Sequence, residues 1–223
     1  VRNRRIEGGL DLEFQPCSEE FVIRFNVKKK KTAALKSSVL QVADIRTKSK
    51  DDRKLLEIRF APYRVLGITF TVTETLEAAE DKPFLYKTLS FTASDDRVVL
   101  DSVDTEFISL PRDIEQKWSR PDMKKAYLTP FHSALGQPVY LNGLYTGSEF
   151  PAADNNIEDG IAHVRCYSGK TLKALQNGKA SYTTWKTVFG AARSLEFDVI
   201  RADFLRYIRS ISRPISLRTQ YNS

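Results

Sequence analysis

Residues 55–77, LLEIRFAPYRVLGITFTVTETLE, alternate apolar and polar side chains and are rich in β-branched residues. A period of two places successive side chains on opposite faces of a strand, so the stretch predicts long strands with one buried face. The alternation breaks once, at Ala61 and Pro62. Because proline cannot donate to a strand ladder, we expect a bend or a sheet edge there.

The same alternation continues on both sides of this stretch. In residues 19–27 it places Phe21, Ile23, Phe25 and Val27 on one face. Further extended runs are found at residues 84–93, 95–110, 137–151, 160–172 and 181–192. Many strands at short spacing, separated by Gly, Asn, Asp and Pro, favour antiparallel sheets packed face to face. We therefore predict a mostly β fold, with residues 1–192 forming a large antiparallel β-sandwich.

The period changes near the C-terminal end of the sequence. Ile200, Phe204, Ile208 and Ile211 lie at helical spacing, which predicts a short helix within residues 193–212. Residues 213–223, RPISLRTQYNS, then read as a further strand. A strand that follows a helix in this way is not typical of the sandwich, so we expect it to belong to a different architecture.

Composition and charge exclude several classes of protein. Among 223 residues, 41% are hydrophobic and 28% charged, and no stretch approaches the roughly 20 apolar residues of a membrane span. The net charge is +7, and residues 1–60 hold 15 Lys and Arg against 9 Asp and Glu. The densest piece, VKKKKTAALKSS at residues 27–38, lacks interleaved aromatics and predicts a solvated hairpin tip. We expect neither a nucleic-acid partner nor a membrane span.

Motifs for metal, cofactor and nucleophile chemistry are absent. Cys17 and Cys166 lie far apart without CxxC spacing, so two unpaired thiols are favoured, with one disulfide left open in an oxidising compartment. His132 and His163 do not by themselves build a zinc site. The glycine patterns of nucleotide-binding proteins, HExxH and GxSxG do not occur. We expect no metal and no cofactor, and a periplasmic or secreted location is favoured over the cytoplasm.

Carboxylates are plentiful, but none is marked out as catalytic. In a regular strand Asp104 and Glu106 share one face and Asp101 points to the other. Two carboxylates on one sheet face more often make hydrogen bonds or salt bridges than catalysis. Glu149 and Asp154 flank the end of a strand, where turn chemistry accounts for them.

Aromatic side chains give the first candidate binding residues. Residues 111–135 have no clear period, and a loop of this length is usually functional or mobile. Trp118 and Tyr127 from this loop, together with Tyr145, are candidates for stacking on a sugar ring or for a subunit contact. The alternative is a loop held against the sandwich by its own aromatic side chains.

Several short motifs occur in an order that resembles a known family. They are VDTEFISL at residues 103–110, GQPVYLNGLYTGSEFP at 136–151, YSGKTL at 167–172, KTVFGAA at 186–192 and RPISLRTQYNS at 213–223. This order is similar to the N-terminal region of glycoside hydrolases of the α-galactosidase and raffinose-synthase type, the melibiase clan. The resemblance implies a supersandwich, like that of galactose mutarotase, which a linking helix joins to a catalytic (β/α)8 barrel.

The resemblance also implies roles for the last residues. Residues 213–223 would be the first barrel strand, which in the family has the pattern R-P, an apolar run, and N-[ST]-W. Tyr221, Asn222 and Ser223 would then approach the sugar in the intact enzyme, or else pack in the barrel core. The two catalytic Asp residues of the family lie further along the barrel. We therefore expect no catalytic residue in this chain, and no activity from the chain alone.

The family's domain arrangement implies partners for this sandwich. The family's barrel would cover an apolar seam, for which the candidates are Ile208, Ile211, Ile215 and Leu217. The expected partners are the protein's own C-terminal barrel and carbohydrate, and a second copy of the chain is left open. Two alternatives stay open: an independent carbohydrate-binding module, and a structural sandwich whose basic edge contacts an acidic partner.

Overall fold

The computed structural model describes residues 4–6, 15–27, 31–50, 52–110, 136–141 and 143–212. Its strands, in chain order, are β1 Val22–Val27, β2 Lys31–Lys36, β3 Val42–Lys50, β4 Arg53–Phe60, β5 Tyr63–Val65, β6 Ile68–Ala79, β7 Phe84–Ala93, β8 Val99–Ser109, β9 Val139–Leu141, β10 Leu144–Ser148, β11 Asp154–Glu158, β12 Ile161–Thr171, β13 Tyr182–Thr183 and β14 Thr187–Ala191. Two helices accompany them, α1 Leu172–Gln176 and α2 Phe197–Ile211.

The strands form two antiparallel sheets. The smaller has five strands in the order β11-β12-β8-β1-β2, and the larger has nine. Seven strands of the larger sheet follow the order β3-β4-β6-β7-β14-β10-β9, while β5 pairs with β6 and β13 with β7. The predicted mostly β, antiparallel sandwich is therefore confirmed.

The main core lies between the two sheets. Phe21, Ile23 and Phe25, which the alternation places on one face, are all fully buried there. Phe25 packs on Phe70 of the larger sheet with ring centroids 4.7 Å apart. Burial of aromatic side chains of this size contributes more to folding than any other apolar type, which explains why the alternation is regular in these strands.

Residues 55–77 divide as the sequence predicts. β4 ends at Phe60, next to the break at Ala61 and Pro62, and β5 and β6 then form a hairpin. Leu66 and Gly67 at its tip both have positive φ, 49° and 81°. Such a pair is typical of the two-residue turns that match the twist of paired strands. β1 pairs with β2 in antiparallel register across the lysine-rich segment, and residues 28–30 at the predicted tip lie outside the described part of the chain.

Some elements lie where the sequence gave a different prediction or none. β3 and α1 have no counterpart among the predicted runs, and β11 begins at Asp154, where we expected turn chemistry. β11 reads DNNIE, a composition that is depleted in strands, so its pairing with β12 overrides its local preference.

The prediction that Asp104 and Glu106 share a face is wrong. Opposite β8, Val164 pairs with Glu106 and the next residue, Arg165, pairs with Asp104, so Thr105 is the extra residue of a β-bulge. Asp104 points away from the space between the sheets and accepts hydrogen bonds from Arg24 and Arg165. Glu106 instead points between the sheets, toward Lys87 of β7. A bulge shifts the parity of every following residue, which alternation alone does not reveal.

Helix α2 packs on the outer face of the larger sheet, near β10. It lies within the predicted helical segment, residues 193–212. Within the described residues, no helix is long and apolar enough to cross a membrane. Both Cys17 and Cys166 are free.

Candidate functional site

The outer face of the larger sheet carries a cluster of aromatic side chains. Alternation turns Phe84 and Tyr86 of β7 and Tyr145 of β10 to this side, away from the main core. Helix α2 covers them with Phe204 and Tyr207, whose rings lie 5.6 Å from Tyr145 and 5.0 Å from Phe84 respectively. The face is therefore a second apolar core, closed by the helix.

Gly190 allows the sheet to hold Tyr145 in this position. It lies directly opposite Tyr145 in the pairing of β10 with β14. A Cβ atom built at Gly190 would fall inside the van der Waals contact distance of the tyrosine ring. The ring therefore lies across the backbone of β14, a contact that only glycine permits.

Two polar contacts fix the helix to the sandwich. The Tyr207 hydroxyl donates to Glu149 Oε1 at 3.0 Å. Asp203, only 6% exposed, accepts from the backbone N–H and the guanidinium of Arg193 at 2.9–3.2 Å. Arg206 Nη1 also donates to Asp203, at 2.9 Å. A buried carboxylate with several charge-assisted partners fixes one position of the helix, since sliding would leave the charge unpaired.

A cavity of about 280 Å³ opens beside this contact. It is lined by the turn before β7 with the first residue of that strand, by residues of α2, and by the buried Tyr145. The lining residues are Arg5, Asp81, Lys82, Pro83, Phe84, Tyr145, Asp203, Arg206, Tyr207 and Ser210. The cavity thus combines aromatic walls with charged groups at its mouth.

Both tyrosines in the cavity keep their protons at neutral pH. Burial raises the pKa of Tyr145, and the nearby Asp203 carboxylate raises it further. Burial and the neighbouring Glu149 carboxylate likewise raise the pKa of Tyr207. With both phenols protonated, the Tyr207 hydroxyl serves as a neutral hydrogen-bond donor to Glu149.

A second aromatic pair lies in the segments that follow β10 and β13 of the same sheet. Trp185, 54% exposed, stacks on Phe150 with ring centroids 5.5 Å apart and an interplanar angle of 21°. The next residue, Lys186, places its ammonium 4.5 Å from the ring of Tyr86 and donates to Glu77 at 3.3 Å. An indole face beside fixed hydrogen-bonding groups is an arrangement that can stack on a sugar ring.

Trp185 is not among the candidates predicted from the sequence, because this tryptophan lies in a stretch that reads as a strand. A signal was nevertheless available. Its neighbours at two residues on either side are Thr183 and Thr187, so the indole belongs to no apolar face of the alternation.

Of the aromatic candidates from the sequence, Tyr145 is described. It is 1% exposed under helix α2, so its ring contacts the helix and offers no open face for a sugar. Ile208 is half-buried against the aromatic cluster, and Ile211 is 40% exposed at the helix end. Other candidate residues lie outside the described part of the chain: Trp118, Tyr127, Ile215, Leu217, Tyr221, Asn222 and Ser223.

A cluster of charges lies between the sheets. Lys87, 2% exposed, has its Nζ 3.3 Å from Glu74 Oε1, 3.4 Å from Glu106 Oε1 and 2.9 Å from Glu20 Oε2. Burial and the neighbouring carboxylates raise the pKa of Glu106 to about 7, despite the opposing effect of Lys87. Burial also raises the pKa of Glu74. The cluster is closed on most sides, and we interpret it as structural.

The described residues contain no group of three or more His, Cys, Asp or Glu side chains that could hold a metal ion. Comparisons with protein-family models, with curated proteins and with solved structures each return no match. The resemblance to the melibiase clan therefore stays a prediction from the sequence. The site must be interpreted from its own geometry.

Proposed function

We propose that this β-sandwich is the non-catalytic N-terminal domain of a glycoside hydrolase that acts on α-galactosides or related α-linked sugars. Its role is to support a catalytic barrel on the side of helix α2. One observation carries the proposal: α2 is fixed on the sandwich by the bonds of Asp203 with Arg193 and of Tyr207 with Glu149, yet it leaves apolar side chains uncovered. Leu205 and Ile211 are each 40% exposed.

The positions of these side chains support a docking role. Leu205 lies on an exposed side of α2 and Ile211 at the end of the helix, while Ile208 between them is half-buried against the aromatic cluster. Exposed apolar side chains on a helix held in one position are suited to packing against a second domain of the same chain. The order of family-like motifs supports a barrel as that domain.

The first experiment compares hydrolysis of a panel of nitrophenyl α- and β-glycosides by two proteins. One is the 223-residue chain, and the other is the product of the complete coding sequence to which it belongs. We expect the longer product alone to cleave an α-galactoside or an α-N-acetylgalactosaminide. Turnover by the 223-residue chain, or a longer product without glycosidase activity, would contradict the proposal.

A second candidate function is carbohydrate binding by the sandwich itself. The exposed Trp185, stacked on Phe150, favours it. Binding of the chain to a glycan array tests this function. A platform at Trp185 is supported if Trp185→Ala abolishes binding and Trp118→Ala does not. Loss in Trp118→Ala alone would support the platform predicted from the sequence. If the unsubstituted chain binds no glycan, the sandwich is not a carbohydrate-binding module.

A further inference from the structure

The mouth of the cavity under helix α2 carries an excess of positive charge. Arg193 and Arg206 both bond to Asp203. Arg5 Nη1 lies 4.0 Å from the same carboxylate and donates to the carbonyl of Ala191 at 2.7 Å. Asp81 and Lys82, which also line the cavity, form an ion pair at 3.0 Å, so their charges cancel. The charged residues that line the cavity are Arg5, Lys82 and Arg206 against Asp81 and Asp203, which leaves one positive charge in excess.

Fixing Asp203 does not require all three arginines. Arg193 alone satisfies both carboxylate oxygens, through its backbone N–H and its guanidinium. Arg206 gives Asp203 a single hydrogen bond, and its side chain is 63% exposed while lining the cavity. A guanidinium has five N–H donors in a planar fork, so Arg206 keeps donors that suit a carboxylate.

The rest of the cavity is apolar and of a size for one small ring. Phe84 and Pro83 form a wall, and the almost fully buried Tyr145 and Tyr207 form the base. The volume of about 280 Å³ lies near the lower end of the roughly 300–1,000 Å³ typical of ligand pockets. Because Asp203 is held by a hydrogen-bond network, the positive groups are positioned before any ligand arrives.

From this charge and shape we infer that the cavity binds a small ring-bearing carboxylate, with the carboxylate on Arg206 and the ring against Phe84. The cavity faces away from the space between the sheets, so binding needs no opening of the sandwich. The inference concerns the 223-residue chain and is independent of whether a catalytic barrel follows.

Isothermal titration calorimetry of the 223-residue chain tests the inference with two acids and their neutral analogues. The pairs are benzoate with benzamide and D-glucuronate with D-glucose. We expect at least one acid to bind at least tenfold more tightly than its analogue, with an affinity that falls as salt rises. Preference for benzoate would assign aromatic acids, and preference for glucuronate would assign sugar acids.

Variants connect the binding to the cavity. Arg206→Gln should weaken binding of the acid about tenfold, and Arg206→Lys should restore part of it. Arg201→Gln, an exposed arginine on the same helix that does not line the cavity, is the matched control and should have no effect. Ser210→Phe, at the exposed rim, should block the cavity. Equal binding of acids and analogues, no binding of either acid, or equal effects of Arg206→Gln and Arg201→Gln would overturn the inference.

Discussion

Gly190 and Tyr145 show how one missing side chain organises the site. The tyrosine ring lies over the glycine in the neighbouring strand, and α2 then packs on the ring through Phe204. Asp203 acts at the same scale, because a single carboxylate gathers arginines from positions 5, 193 and 206. In both cases one residue, Gly190 or Asp203, contacts residues that are distant in the sequence.

Gly190→Ala is expected to destabilise the fold by about 1–3 kcal/mol, because the new methyl group forces the Tyr145 ring out of its place. Urea unfolding measures the change. In a Tyr145→Ala background, which lacks the ring, Gly190→Ala should lower the free energy of unfolding by much less. Equal costs in the two backgrounds would show that the ring and the methyl group do not collide.

Glu106 is expected to make the stability depend on pH. Its pKa in the folded chain is about 7, above the ordinary 4.5, so the folded state keeps a proton that the unfolded state releases. This contribution to stability is complete below about pH 4.5 and is lost as the pH rises to about 7. Linkage gives a loss of roughly 3 kcal/mol over that range.

Urea unfolding of Glu106→Gln between pH 4.5 and 8 measures this effect. Because Gln cannot titrate, the variant should gain stability relative to the unsubstituted chain as the pH rises. Glu158→Gln, at an exposed position of β11, is the control and should leave the pH dependence unchanged. Parallel curves for the unsubstituted chain and Glu106→Gln would rule out the assignment.

At the scale of elements, the helix and the bulge decide where the site lies. Helix α2 buries Ile200, Phe204 and Tyr207 on one side and exposes Leu205 on another. The spacing of its apolar residues predicts this packed side well, although Tyr207 was absent from the predicted set. The bulge at Thr105 is the opposite case, since nothing in the alternation marks the residue that is skipped.

Neighbouring substitutions in α2 should separate its two sides. Phe204→Ala removes a ring that is 8% exposed and should cost about 3–5 kcal/mol, because it leaves a cavity under the helix. Leu205→Ala removes a side chain that is 40% exposed and should cost less than about 1 kcal/mol. Urea unfolding of both variants compares them, and similar costs would mean that the helix is not seated as described.

At the scale of the molecule, the described parts of the two sheets enclose a largely apolar core that contains a charged cluster. Lys87 of the larger sheet faces Glu106 of the smaller sheet, with Glu74 beside it. Thr105 and Thr187 add a hydroxyl contact between the sheets. These polar contacts fix how the sheets lie against each other, whereas apolar packing alone tolerates small shifts.

Lys87→Met is expected to destabilise the fold by about 3–5 kcal/mol at pH 8, because it leaves buried carboxylates without their cation. The cost should be smaller at pH 5, where protons can neutralise Glu74 and Glu106. The triple variant Lys87→Met, Glu74→Gln, Glu106→Gln should recover most of the loss. Urea unfolding at both pH values tests this, and a cost independent of pH and of the glutamates would contradict it.

Much of the fold followed from the alternation, but the site did not. Phe21, Ile23 and Phe25 were placed in the core correctly because each strand shows its buried face in its own local sequence. The aromatic candidate Tyr145 was singled out, yet it is buried under α2, and the exposed Trp185 was read as part of a strand. Exposure of an aromatic ring depends on what packs over it, which a local pattern does not contain.

The sequence by itself determined most of the strands, the position of the C-terminal helix and the buried face of residues 19–27. These features follow from the periods of strands and helices, which are local properties of the chain. Only the tertiary structure decided that Glu106 points inward, that Gly190 receives the ring of Tyr145, and that Asp203 meets Arg5, Arg193 and Arg206. Each of these depends on strand register and helix docking between residues distant in sequence, where one skipped residue changes every later contact.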